Sequence, residues 1–255
     1  MSSDVTQAAS TGSTALAAPA AQPVSDNTAV PAVPAAIPTE ALNAHRADLN
    51  AAEYFDVLDE CGHPTGVSKL RSLVHRDGDW HACVHIWVLH ARSGMVLLQR
   101  RAACKDSFPS CWDVSCAGHL AAGETVAAAA EAELREELGL QAPDGVSFGD
   151  WCRPLCAPFP RTVVSQGGRF IDREHTHCFV VEGEWEAESM RLQEEEVARV
   201  EWTELADFAA ALQQRREGYV AVPDLEFYAR MVFAPLEERI KQIRTKHAAH
   251  ASVQQ

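Results

Sequence analysis

The stretch "GHLAAGETVAAAAEAELREELGL", residues 118–140, decides the reading of this chain. Its alanine and leucine spacing predicts a helix, and Gly139 stops it, as a glycine just past a last turn does. Glu133, Glu136 and Glu137 fall at i, i+3 and i+4, so they share one sector of that helix. Like charges at this spacing repel by about 0.2–0.5 kcal/mol per pair. A solvated acidic face tolerates the repulsion. A hard divalent cation removes it, because Mg²⁺ and Mn²⁺ prefer carboxylate oxygens, with water completing the shell. The solvated-face reading accounts for the helix alone. It leaves unexplained Gly118, where an extended run ends, and Glu124, read as the helix start, where a carboxylate favours the positive end of the dipole.

Working outward, "CWDVSCAGHL" (111–120) reads as a strand leading straight into the helix. Before it, "HACVHIWVLHARSGMVLLQRRA" (81–102) reads as a β-hairpin with its turn at Arg92–Gly94. Earlier still, "YFDVLDECGHPTGVSKL" (54–70) reads as a strand, a turn over Gly62–Gly66 and a second extended piece. After the helix come strand candidates at 146–156, in "HTHCFVVEGEW" (175–185) and in "VARVEWT" (197–203). Two helices close the chain, "TELADFAAALQQRRE" (203–217) and a longer one from Asp224 to about His247. Strands interleaved with helices predict one mixed α/β domain whose helices cover a sheet. We place that domain at 41–220, opened by a short helix in "TEALNAHRADLNAAE" (39–53), with a C-terminal helix over 221–250 packed on it. Residues 1–40 are Ala, Ser, Thr, Pro and Val with few charges, the composition of a disordered tail.

A 47% apolar fraction in 255 residues supports a full core, and a net charge of −14 excludes non-specific binding to nucleic acid or an anionic membrane. No run of eighteen apolar residues occurs. The eight cysteines include no CxxC pair, and residues 1–45 hold no Lys or Arg. We therefore read free thiols in a reducing, cytoplasmic setting rather than disulfides or a zinc ribbon. An organelle leader is the other reading of the tail, and the lack of arginine counts against it.

The helix also carries a named pattern. Gly118, five residues, Glu124, seven residues, position 132, Glu133, apolar Leu134, any residue, Glu136, Glu137, any residue, Gly139 and apolar Leu140 stand in the register of the Nudix box. The one departure is Ala132, where the box has arginine. The chain therefore resembles the Nudix hydrolase superfamily, and the resemblance extends over about 53–204. "QRRAACKDSFPSCWDVSCAGH" (99–119) is similar to the isopentenyl-diphosphate isomerase-like subgroup, which includes the Nudix domain of plant dipeptidyl peptidase III-like proteins.

The resemblance implies an α/β/α sandwich with a mixed sheet and Mg²⁺ or Mn²⁺ bound by box carboxylates. It implies that Glu136 and Glu137 are the main ligands, with Glu133 and the Gly118 carbonyl completing the site and Glu124 in a supporting place. Glu174 stands where the subgroup has a later carboxylate acting as ligand or base. Arg101 and Lys105 match positions that hold a diphosphate; solvated loop charges are the alternative. His81 and His119 match metal-binding histidines of the isomerases, but we read them, with His85, as packed or hydrogen-bonded side chains. Trp112 reads as a core or pocket-floor residue and Cys116 as a small buried one. Arg135 either stands in for the missing guanidinium or pairs with Glu131.

The isomerase's cysteine precedes the Gly-His pair, and Ala117 occupies that place here. Cys116 faces the other way along a strand. Hydrolysis of a small diphosphate is thus the expected activity, on isopentenyl or another prenyl diphosphate or a nucleoside diphosphate derivative. A non-catalytic Nudix-fold binding module and the isomerase remain the alternatives.

Overall fold

The structure, a computed structural model, describes residues 53–105 and 107–253. The tail and most of the helix expected at 39–53 lie outside them. Among the described residues, ten strands form one mixed sheet: β1 Tyr54–Leu58, β2 Pro64–Leu70, β3 Trp80–His90, β4 Val96–Arg101, β5 Trp112–Asp113, β6 Cys116–His119, β7 Arg153–Pro154, β8 Phe159–Ser165, β9 Phe170–Gly183 and β10 Val197–Thr203. The helices are α1 Arg71–Asp77, α2 Val126–Glu137, α3 Phe148–Trp151, α4 Leu205–Gln213, α5 Leu225–Tyr228 and α6 Ala234–Val253, with a π turn Ala229–Phe233 joining the last two.

β3 is the axis. It runs parallel to β9 along its whole length, Trp80 opposite Arg173 through His90 opposite Gly183. Its other edge meets β1 at Trp80, β6 over Cys83–Ile86 and β4 at Leu89. The expected hairpin of β3 and β4 therefore pairs only next to its turn. Beyond it β4 turns to β10, with Val96 opposite Thr203 and Arg101 opposite Val197.

Strand alternation sends β3 side chains into two cores. Trp87 and Leu89 pack with Phe208 and Leu212 of α4, Tyr228, and Leu236, Ile240 and Ile243 of α6. Val84, Ile86 and Val88 pack on the opposite side with Ala129, Ala130 and Leu134 of α2 and with Trp151. Helices thus cover both faces of the sheet, the mixed α/β sandwich expected.

Several elements differ from the sequence reading. The strand candidate at 146–156 is α3 plus the two-residue β7, because the Ser147 side chain caps a helical turn by accepting from the Asp150 N–H at 3.2 Å. Residues 111–120 hold two short strands; between them the Ser115 hydroxyl accepts the Val88 N–H at 2.8 Å and donates to the Leu97 carbonyl, where a continuous strand would have bonded. The unanticipated α1 ends at Gly78 in the left-handed region, φ 69°, with its N–H on the Val74 carbonyl. The unanticipated β8 is held by β9.

Candidate functional site

Two clusters of ligand-type side chains flank β6, one on each face of the sheet. On the α2 face, Thr125 caps the helix by accepting from the Ala128 N–H at 3.2 Å. Glu124 lies just before the helix, where its carboxylate accepts the Ala121 N–H at 3.0 Å and closes the preceding turn. The far end is a left-handed glycine stop: the Gly139 N–H reaches the Arg135 carbonyl and the Leu140 N–H the Leu134 carbonyl, with Gly139 at φ 70°. These two ends set the rotation of the helix and aim its acidic sector at β6.

Gly118 is the contact point. A Cβ there would overlap Glu133 Oε1, so the glycine is what lets this carboxylate lie against the strand. A carboxylate oxygen of Glu133, one of Glu137 and the Cys116 sulfur lie within 4.8 Å of one another. Glu137 is only 4% exposed, and its Oε2 accepts from Gln99 Nε2 at 3.3 Å and from the Ala117 N–H at 3.4 Å. Burial, with the nearby Glu196 carboxylate, pushes its pKa up to about 7 against the pull of the Cys116 thiol, Lys105 and the Ala117 N–H. The Cys116 thiol is buried and pushed well up as well, so it stays protonated beside the carboxylates. Two converging carboxylates, one of them buried, suit a hard cation.

The remaining box residues are placed differently. Glu136 is partly exposed and accepts from Arg135 Nη2 at 3.0 Å, so Arg135 serves Glu136 rather than Glu131. Ala132 is buried. Arg101 is mostly buried, donating to the Ser107 carbonyl at 3.0 Å and standing 3.6 Å from Asp113. Lys105 is paired with Glu196. Both cations are thus tied to protein partners, and the Lys105–Glu196 pair acts electrostatically on Glu137. Trp112 is half-buried under the Arg199 guanidinium.

The opposite face holds the second cluster. One nitrogen each of His75, His81 and His119 and one Asp172 oxygen lie within 4.8 Å of one another. The three Nε2 atoms stand 3.4, 3.2 and 3.6 Å from Asp172 Oδ1. Yet all four atoms are buried without a hydrogen-bond partner. Phe55 stacks on His81 and Phe170 on His75, walling the group off. Burial would raise the Asp172 carboxyl, but the three imidazoles overcome it and hold it well below the usual range. Burial pushes His75 down; it acts the same way on His119, where Asp172 and Glu174 reverse it and leave the ring raised.

Glu174 belongs to this face. It lies two residues past Asp172 on β9, with Oε1 3.3 Å from His119 Nε2 and Oε2 accepting from Arg161 Nη1 at 2.8 Å. Burial and Asp172 press its pKa upward, and Arg161 with His119 still brings it down to about 2. His85 Nε2 is 3.2 Å from the same guanidinium nitrogen, and burial drops its pKa to about 4. Arg161 borders a cavity of about 10 Å³ lined by His85, Asp113, Phe208, Val220 and Tyr228.

The structure thus brings Gly118, Glu133 and Glu137 together on one face and groups Glu174 with the histidines on the other. Sequence reasoning passed over His75, Asp172, Arg161 and Gln99. Asp172 had a signal in its two-residue spacing from Glu174, which puts both on one side of a strand. Arg161 and His75 had none, because β8 and α1 were not read.

The NUDIX domain family matches residues 79–225, more than half of the chain. Nudix hydrolase 3 of Arabidopsis thaliana is 38% identical over 172 residues, 67% of this chain but 22% of that protein, so the likeness covers about a fifth of the relative. An uncharacterised Nudix hydrolase of Clostridium acetobutylicum is 31% identical over 179 residues, 66% of this chain and 78% of its own. An isopentenyl-diphosphate Delta-isomerase of Nocardia farcinica is 43% identical over 88 residues, 34% of this chain and 49% of its own. Among solved structures, DR0079 from Deinococcus radiodurans shares the fold with a TM-score of 0.51 and 21% identity, over 70% of this chain and 98% of that one. With the box helix, its two glycines and the sandwich all in place, this chain belongs to the Nudix family.

Proposed function

We propose that this protein is a metal-dependent pyrophosphohydrolase of a small diphosphate compound. The observation that carries the reading is the convergence of Glu133 and buried Glu137 beside β6, where the missing side chain of Gly118 makes room for Glu133. Mg²⁺ or Mn²⁺ held there would polarise the diphosphate and ease deprotonation of the attacking water. Glu133 and Glu137 would hold the ion, and the Gly118 carbonyl and Glu136 would join them. Arg101 and Lys105 would orient the diphosphate by exchanging part of their present pairing with Asp113 and Glu196 for phosphate oxygens. A prenyl or a nucleoside diphosphate fits this scheme equally.

The histidine face supports a second ion. Three imidazole nitrogens and a carboxylate, all buried and unpartnered, form a donor set of the transition-metal type. That cluster favours one further reading, the isomerase, against which stands Ala117 in place of a cysteine beside Gly118. One assay separates the readings: the purified chain with Mg²⁺ or Mn²⁺, given isopentenyl diphosphate and a panel of nucleoside diphosphates, with phosphate release and isomer formation both followed. Metal-dependent phosphate release supports the hydrolase, isomer without phosphate the isomerase, and ligand binding without turnover a binding module.

Two expected results accompany the proposal. Ala132→Arg returns a guanidinium to the box and should raise metal-dependent turnover about tenfold or more, in line with about 1.5–3 kcal/mol for a charged hydrogen bond; an unchanged rate counts against that account. Metal binding requires ionised Glu137, so Mn²⁺ affinity should climb as pH rises toward about 7 and level off above it. A titration at pH 5.5, 6.5 and 7.5 reads this directly.

A further inference from the structure

The structure assigns Gln99 as the positioning residue for Glu137, holding a carboxylate that a box arginine in place of Ala132 would orient with its hydrogen bonds; the assignment rests on the pyrophosphohydrolase reading. Gln99 lies in the middle of β4, with its backbone opposite Val200 of β10 and Asp113 of β5. Leu97, two residues earlier, sits in the core beneath α2, so alternation sends Gln99 to that same face. Its side chain is 1% exposed. There it makes one hydrogen bond, from Nε2 to Glu137 Oε2 at 3.3 Å, while Oε1 is buried without a partner.

An ionised carboxylate only accepts hydrogen bonds, so the amide must present its nitrogen to Glu137. A buried amide with one end unsatisfied costs about 1–3 kcal/mol relative to a satisfied one, so packing alone gives no reason for a polar group here. Leu97 shows that an apolar side chain fits this face. What the amide supplies is a donor fixed to the sheet, aimed at a carboxylate carried by the helix. It differs from the absent arginine in one respect: being neutral, it orients Glu137 without cancelling its charge, and leaves that charge for a cation.

The test uses the full chain and Mn²⁺ alone, with binding followed by electron paramagnetic resonance and hydrolysis followed separately. Gln99→Met keeps the volume and removes the donor. It is expected to weaken Mn²⁺ binding about tenfold, the low end of what losing an outer-shell partner costs, with the melting curve little changed. Leu97→Met, on the same face but away from the carboxylates, should leave Mn²⁺ binding as it is. In the Gln99→Met background, Ala132→Arg should recover the lost affinity, and by more than it adds to the parent chain. Equal Mn²⁺ affinity of Gln99→Met and the parent overturns the assignment, as does strict additivity of the two substitutions. If Gln99→Met does not fold, Gln99→Asn, whose shorter arm holds the donor back, must show the same weakening or the assignment fails. A parent chain that binds no Mn²⁺ overturns the hydrolase reading itself, and a result of that kind is seen before any variant is compared.

Discussion

Glu137→Gln should abolish most metal-dependent phosphate release and, at the same time, make the metal-free protein more stable. The carboxylate is buried at the meeting point of α2 and β6. Removing a charge that anchors a catalytic cation costs several kcal/mol of transition-state stabilisation, about 100- to 1000-fold in rate. Stability moves the other way. The folded pKa of about 7 lies above the ordinary glutamate value of 4.5, so burial favours the protonated form. Below pH 4.5 the group is neutral in both folded and unfolded chains. As pH rises from 4.5 to about 7, the unfolded chain ionises first, and the folded state loses stability across that window. The amide variant has no such window. Metal-free melting curves at pH 5 and pH 8 should converge in Glu137→Gln relative to the parent. Parallel curves in the two proteins would show that the charge is not buried as described. Glu136→Gln should lower the rate without this stability signature, because Glu136 is partly exposed and paired with Arg135.

The second large effect is on folding. Arg161→Met leaves Glu174 ionised and buried without its guanidinium partner, 2.8 Å away in the folded protein. Breaking a buried ion pair from one side costs about 3–5 kcal/mol. Replacing both partners, Arg161→Met with Glu174→Gln, removes the stranded charge and should return much of that loss. Urea unfolding of the single and double variants, with coinciding slopes, measures both. A single variant within about 1 kcal/mol of the parent would mean that His119 alone satisfies Glu174.

The helix, its stop and the class of fold were legible because each rests on local signals: alanine-rich spacing, a positive-φ glycine and alternating apolar runs. The face assignment was not. The resemblance offers Glu174 as a ligand or base, and its place in the chain says nothing of which side of β9 it takes. Only the parallel register with β3, His81 opposite Glu174, settles its neighbourhood. Likewise the hairpin of β3 and β4 was visible, whereas the exchange of partners that gives β3 to β9 and β4 to β10 depends on pairing between distant segments. Gln99 was invisible for a similar reason. A polar residue in an apolar strand can mark an edge or a buried contact, and sequence alone does not tell the two apart.

The brevity of β6 has a consequence of its own. Gly118 and His119 are consecutive residues, so a single thickness of backbone parts the acidic pocket from the imidazole pocket. Charge on one side faces the other across that backbone, with little water between to damp it. A proton or cation taken up by one chamber is therefore expected to make the other less welcoming to positive charge, across a thin dielectric wall between two reservoirs that never touch.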